Sequence, residues 1–224
     1  MDWDVRRFAE LDSTNRWLLD EARRGAPEGV VAVADHQTAG RGRLGRNWEA
    51  PPGAALLCSV LLRPALPVDR LHLAVAAVAL AGMSAVTELS ALRPGIKWPN
   101  DLLLPDGRKL AGVLAEAELP AVVVGIGLNV SWAPPGAACL GEGVSRDELL
   151  DSLLEHLGAL VDDWAAVPSL YRRACVTLGQ AVRVELPDET FTGVAADVTD
   201  EGHLLVDVGM CLRTVAAGDV VHLR

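Results

Sequence analysis

The sequence predicts a mixed helix-and-sheet domain over residues 1–178, followed by a small β-barrel over 179–224. Three observations carry this. Apolar β-branched runs alternate with stretches long enough for helices through the first part of the chain. From about Gly179 the texture changes to short alternating segments broken by turn residues. At 224 residues the chain can bury one large core with a small module appended.

The elements follow in order. Ser13-Thr14-Asn15 opens a helix running to Arg24, and Gly25 stops it. Gly29 to Ala34 is β-branched and apolar, a buried strand, and Ala54 to Leu62 is another. Between them Gly40 to Gly53, rich in Gly, Arg and Pro, forms a loop. Asp69 caps a long apolar helix reaching about Leu89. Short strands are expected at Gly95–Trp98, Leu102–Leu104 and Leu110–Glu116, with a turn at Pro105-Asp106-Gly107. Ala121 to Val130 is a further apolar strand. Ser145-Arg146-Asp147-Glu148 reads as a capping box, and apolar residues from Leu149 to Trp164 follow at helical spacing. Val182 to Leu186 alternates, Pro187-Asp188 turns, and Asp200-Glu201-Gly202 is a hairpin tip before Leu204 to Val208.

Bulk properties narrow the partners. Half the residues are hydrophobic and 22% are charged, ordinary for a globular chain. A net charge of −10 argues against a general polyanion binder, so no nucleic-acid partner is expected, but a small molecule or a protein is. Met1-Asp2-Trp3-Asp4 is not the start of an export signal. Leu73 to Val86, with Gly82 and Ser84 inside it, is too short to span a bilayer and reads as a buried helix. Cys58, Cys139, Cys175 and Cys211 lie far apart without metal-ligand spacing and read as small apolar thiols. A cytoplasmic protein without membrane contacts is the expectation.

Gly40-Arg41-Gly42-Arg43-Leu44-Gly45-Arg46 is the most informative stretch. Alternating glycines expose backbone N–H groups, and the arginines bring fixed charge, which suits an anion. Each charge-assisted hydrogen bond there contributes roughly 1.5–3 kcal/mol. The stretch matches the dinucleotide pattern GxGxxG, which requires a helix beginning at its third glycine. Asn47-Trp48-Glu49-Ala50-Pro51-Pro52 follows instead, and prolines forbid that helix. A Walker A loop fails for want of Gly-Lys-Ser/Thr. Taken alone, an anion loop and a flexible surface loop with solvated arginines remain equally good readings.

Further motifs accompany it: Ser13-Thr14-Asn15 and Gln37 upstream, then Ile96-Lys97-Trp98-Pro99-Asn100-Asp101, Arg108 to Glu116 (RKLAGVLAE), and Gly125-Ile126-Gly127-Leu128-Asn129. Together these resemble the catalytic core of the biotin–protein ligases, from about residue 10 to 130, in the short form without an N-terminal DNA-binding domain. The resemblance implies an α+β fold: a mixed, largely antiparallel sheet flanked by helices, then a small Src-homology-three-like β-barrel. It implies an adenylate-forming ligase that uses ATP with Mg2+ to convert biotin to biotinyl-5′-AMP. A lysine of a biotin carboxyl carrier protein or domain then takes the biotinyl group. Carried over by motif, Ser13, Thr14, Asn15 and Gln37 hold the ureido ring and its surroundings, while Arg41, Gly42 and Arg43 close over carboxylate and phosphate. Gly112 lets backbone approach the ligand. Arg46, Trp48, Lys97, Asn100 and Asn129 fall to the nucleotide, with Trp48 as a stacking face. Lys109 is the catalytic cation, Arg43 serves both substrates, and Asp101 orients or deprotonates the acceptor lysine, unless it only caps a turn. Leu44 stands where many relatives carry a polar or basic residue. Metal ligands are not assigned, and a homodimer is left open. A lipoate–protein ligase and a non-catalytic biotin-binding protein on the same scaffold are the competing readings.

Overall fold

The computed structural model describes residues 1–223. Its larger sheet is built from β1 (Asp4–Leu11), β2 (Val30–Gln37), β3 (Ala55–Leu62), β4 (Gly95–Lys97), β5 (Asp101–Leu103), β6 (Lys109–Glu118) and β7 (Ala121–Asn129), in the order β1-β2-β3-β7-β6-β5-β4. Only β1 and β2 run parallel; every other neighbouring pair is antiparallel. Helix α1 (Thr14–Arg23) covers one face, where Leu18 and Ala22 pack with Ala32, Leu61, Ala121 and Val123. Helices α2 (Leu73–Leu89) and α3 (Arg146–Asp162) cover the other, over Val33, Cys58, Val60, Val124 and Ile126. Being covered on both faces explains why β3 reads as a continuous apolar run: all eight of its residues are buried.

Helix α1 begins and ends on the expected signals. Ser13 is the N-cap, although its hydroxyl lies a long 3.5 Å from the Arg16 N–H. At the other end Gly25 has φ +87°, its N–H donates to Ala22 O at 3.1 Å, and Ala26 N–H donates to Glu21 O at 3.0 Å. That pair of hydrogen bonds with a left-handed glycine is the Schellman stop.

Several expected boundaries move. Asp69 does not cap α2; it lies in a separate 3-10 turn, Val68–Arg70, and α2 starts at Leu73 without a side-chain cap. Strand β5 starts one residue early, at Asp101. Ser145 does cap α3, accepting from Asp147 N–H at 3.2 Å, and Trp164 falls beyond the end of that helix. Strand β1 and helix α4 (Val167–Ala174) are additions. The run Val68–Leu89 is apolar enough to cross a membrane by composition, but here it is largely buried against the sheet and α3.

A second sheet follows, β8 (Ala181–Glu185), β9 (Thr190–Val198), β10 (Leu204–Asp207), β11 (Leu212–Val215) and β12 (Asp219–His222), antiparallel throughout in the order β11-β10-β9-β8-β12. Alternation along it, shifted once by an irregularity in the β9–β10 register, puts Val182, Val184, Ala195, Val198, Val206 and Val220 inside. It is joined to the first sheet near β4: Val176 N–H donates to Ile96 O at 2.9 Å, and the Trp98 indole N–H donates to Gly202 O at 2.9 Å.

Candidate active site

The site arises from missing side chains. Gly112 on β6 faces Gly127 on β7, and one step along Leu114 pairs with Gly125, which pairs in turn with Ser59 on β3. Side chains repeat every second residue along a strand, so Gly112, Gly125, Gly127 and Ser59 share the α1 face of the sheet. Helix α1 covers only part of that face, and the glycines leave the remainder hollow. A Cβ at Gly125 would lie 2.3 Å from Asn15 Oδ1, and one at Gly127 would lie 2.4 Å from Trp48 Cε2. Larger residues would fill the cavity from its floor.

One wall is the start of α1. Ser13, Thr14 and Asn15 are all buried, unusual for three consecutive polar residues unless they are satisfied. Gln37 Oε1, from the end of β2, accepts from Thr14 N–H at 2.8 Å and stands 3.0 Å from Thr14 Oγ1. Ser59 Oγ lies 2.7 Å from Thr14 Oγ1 and donates to Asn15 Oδ1 at 2.7 Å. The Asn15 amide donates to Leu114 O at 3.2 Å and to Glu116 at 2.9 Å. The result is a rigid wall of neutral donors and acceptors.

The opposite side is cationic. The glycine–arginine stretch is a compact turn closed by Arg41 bridging Asn47, with Gly42 N–H donating to Arg46 O at 2.6 Å. Leu44 takes φ +56° at its tip and is 71% exposed, so a polar residue there would lose no packing. Arg43 turns inward, donating to Asn100 Oδ1 at 3.1 Å and to Gly218 O at 2.8 Å. Burial pulls its guanidinium below the ordinary arginine range, opposed by Asp219 and Asp101; it remains a cation. Arg46 pairs with Asp219 of the second sheet. Burial pushes the Asp219 carboxyl up, but the Arg46 hydrogen bond and the surrounding cations outweigh it, and its pKa falls below the usual aspartate value. Arg41 stands 3.7 Å from Glu116, and Lys109 stands 2.7 Å from Asp101.

Two supports hold this side still. Trp98 is buried, its N–H donating to Thr177 Oγ1 at 2.9 Å, and Tyr171 OH donates to Pro99 O at 3.0 Å. Asn100 then bonds Val113 O at 2.8 Å, so Asn100 and Asp101 are presented from an anchored segment. The Trp48 indole packs closely against Gly112 and Gly127, and Lys109 Nζ is 5.7 Å from its ring centroid. Its indole N–H is buried without a partner.

Ser13, Thr14, Asn15, Gln37, Arg41, Gly42, Arg43, Arg46, Trp48, Asn100, Asp101, Lys109 and Gly112 therefore line one cavity. Lys97 and Asn129 do not. Asn129 is 2% exposed and spends its amide on Ala138 O at 2.9 Å, which fixes the chain after β7. Lys97 lies on β4, where its charge acts on Asp219 and His222. Residues given no role from the sequence also line it, among them Cys58, Leu114, Gly125, Gly127 and Asp219. The period-two spacing of Gly125 and Gly127 is a readable signal; Asp219 has none, being 173 residues from its partner Arg46. Burial pushes the Cys58 thiol up to about 12, which rules it out as a nucleophile. Among the described residues no group of three or more His, Cys, Asp or Glu side chains could hold a metal.

Comparison with known proteins gives a consistent set. The model of the biotin/lipoate A/B protein ligase family matches residues 8–130, and that of the biotin protein ligase C-terminal domain matches 177–223. A biotin–[acetyl-CoA-carboxylase] ligase of Mycobacterium tuberculosis is 45% identical, with 96% of this chain and 88% of the relative covered. One from Paracoccus denitrificans is 33% identical over 95% and 98%. The structure of a biotin protein ligase from Aquifex aeolicus in complex with biotin and ATP superposes with a TM-score of 0.84 at 26% identity, covering 99% of each chain.

Proposed function

The chain belongs to the biotin/lipoate A/B protein ligase family, and on that premise we propose that it activates biotin with ATP and passes it to a lysine of a carboxylase carrier protein. It is a biotin–protein ligase, as its relatives are named. One observation carries the assignment of residues: a single cavity joins the neutral wall Ser13-Thr14-Asn15-Gln37 to the cations Arg43, Arg46 and Lys109. A bicyclic urea with a carboxylate tail has this division of polarity.

Two steps follow. A biotin carboxylate oxygen attacks the α-phosphorus of ATP, the bond to the β-phosphate oxygen breaks, and pyrophosphate leaves. The carrier's lysine amine then attacks the acyl carbon; the bond to the bridging oxygen breaks, AMP departs with that oxygen, and the amine loses a proton. Negative charge gathers on phosphate and carboxylate oxygens in both steps, where fixed cations contribute most. Lys109, held by Asp101 at a strand end, is assigned to that charge throughout. Arg43 covers the carboxylate and α-phosphate from the loop, and Arg41 with Gly42 closes over the ring side. Trp48, Arg46 and Asn100 take the nucleotide, and Asp101 receives the incoming amine. Asp101 and Asp219 are both committed to cations, so magnesium arrives as the complex of ATP rather than in a resident cage. Residues 1–178 supply the reacting cations, and 179–224 is a small C-terminal unit whose Gly218 and Asp219 hold two of them, in the cytoplasm. Lys97 serves only as a more distant positive charge, and Asn129 as a scaffold amide.

Incubating the protein with ATP, magnesium and either biotin or lipoate tests the reading. Pyrophosphate should form with biotin, and a carboxyl carrier domain should gain one biotinyl group on one lysine. Pyrophosphate with lipoate and none with biotin overturns it.

A further inference from the structure

Glu116 takes no part in the steps above, yet its two carboxylate oxygens reach two elements of the site. Oε2 accepts from the Asn15 amide at 2.9 Å, and Oε1 stands 3.7 Å from the Arg41 guanidinium. Asn15 belongs to α1 and Arg41 to the loop, so one side chain of β6 touches both covers of the cavity.

The direction of the hydrogen bonds behind this contact is fixed by counting protons. Asn15 Oδ1 can only accept, so Ser59, with one O–H, spends it there. In the 2.7 Å contact between Thr14 and Ser59 the donor must then be Thr14. Thr14 Oγ1 also stands 3.0 Å from Gln37 Oε1, but that oxygen already accepts from Thr14 N–H, and the shorter contact to Ser59 takes the hydroxyl proton. The chain therefore runs from Thr14 to Ser59 to Asn15 to Glu116, each donor pointing toward the carboxylate. Leu114 O and Glu116 are both acceptors, so the Asn15 nitrogen must face them. Asn15 Oδ1 is left over Gly125, on the cavity floor. Ser59 is fully buried and locks the arrangement from below.

We propose that Glu116 is a positioning residue: it sets the polarity of the ring pocket through Asn15 and tethers the loop through Arg41. It makes the pocket present oxygen acceptors, the complement of ligand N–H groups such as those of a cyclic urea. Recognition of the ring and seating of the loop are thereby tied to one carboxylate. This deepens the functional reading above and rests on it.

Pyrophosphate release is measured for wild type, Glu116→Ala and Glu116→Gln, titrating biotin and ATP separately, with hydrogen exchange of Gly40–Trp48 in the biotin-bound enzymes. In Glu116→Ala the KM for biotin should rise about tenfold or more, as expected for a lost hydrogen bond to a charged group. KM for ATP should stay within about twofold and kcat within about threefold. Gln keeps an acceptor for Asn15 but no charge for Arg41. It should recover most of the biotin KM while the loop exchanges as fast as in Glu116→Ala. Equal rises in both KM values, an unchanged biotin KM, or a Gln variant no better than Ala overturn the proposal. Should Glu116→Ala not fold, the near-isosteric Gln variant decides alone: loop exchange as slow as in wild type overturns the proposal. Wild type that releases no pyrophosphate with biotin defeats the functional reading itself, a distinguishable result.

Discussion

At the scale of single residues, each cation of the site sits on an intramolecular partner: Arg41 near Glu116, Arg43 on Gly218 O, Arg46 on Asp219, Lys109 on Asp101. Their supports differ in stiffness. Lys109 is the first residue of β6, whereas Arg43 lies on a turn outside both sheets. Lys109→Ala should therefore slow adenylate formation itself by roughly a hundredfold, the loss expected for a preorganised donor. Arg43→Gly should form adenylate but release it, so that unrelated lysines become labelled. Single-turnover pyrophosphate release and carrier labelling separate the two; a Lys109→Ala variant that forms adenylate at the normal rate contradicts the assignment. Motifs disclose these residues because their neighbours in sequence carry the pattern. The motif Arg108–Glu116 ends on Glu116 without giving it a role, and no motif includes Ser59, since the importance of both lies in what they touch across strands. Asn129 is the opposite case, a motif residue whose amide is spent on Ala138 and which does not line the cavity.

Among elements, the decisive feature is the pair β6–β7. Gly125 and Gly127 lie two residues apart on one strand yet serve different ends of the cavity, Asn15 above one and Trp48 above the other. Overpacking costs about 1–3 kcal/mol, roughly fivefold to a hundredfold in binding. Gly125→Ala should raise chiefly the KM for biotin, and Gly127→Val chiefly that for ATP; equal effects on both substrates would mean that the two glycines do not divide the site. The loop Gly40–Gly53 should exchange its amides more slowly with biotin and ATP present, since ordering glycines is costly without an anion to hold the arginines. Equal protection in both states contradicts closure. Strongly patterned elements such as β3, β7 and α3 are legible in the sequence because their apolar runs and spacing match the faces they bury. Strand β1 is not, because DVRRFAEL is a half-exposed edge with charges along it, and α4 is only eight residues long. Asp69 has the residue type of a cap, but the chain makes a separate turn first and enters α2 four residues later.

In the molecule as a whole, the second sheet is part of the site. Arg43 on Gly218 and Arg46 on Asp219 tie the loop to β12 and the residue before it, a contact between residues more than 170 positions apart that no local pattern could disclose. Because the Asp219 pKa is lowered in the folded protein, its contribution to stability is present above the ordinary aspartate pKa and lost as pH falls through the lowered value. The difference in melting temperature between wild type and Asp219→Asn should thus shrink as the solution is made more acid; a constant difference argues that the pair does not titrate with folding. Biotin and ATP together should also stabilise the protein more than the sum of each alone, because the adenylate spans both ends of the cavity. The joining of carboxylate oxygen to α-phosphorus in that cavity is tested most directly by isotope. Biotin carrying oxygen-18 in both carboxylate positions is turned over with ATP and a carrier domain. One labelled oxygen should appear in AMP and none in pyrophosphate; unlabelled AMP, with the label in pyrophosphate or inorganic phosphate, would contradict the adenylate route.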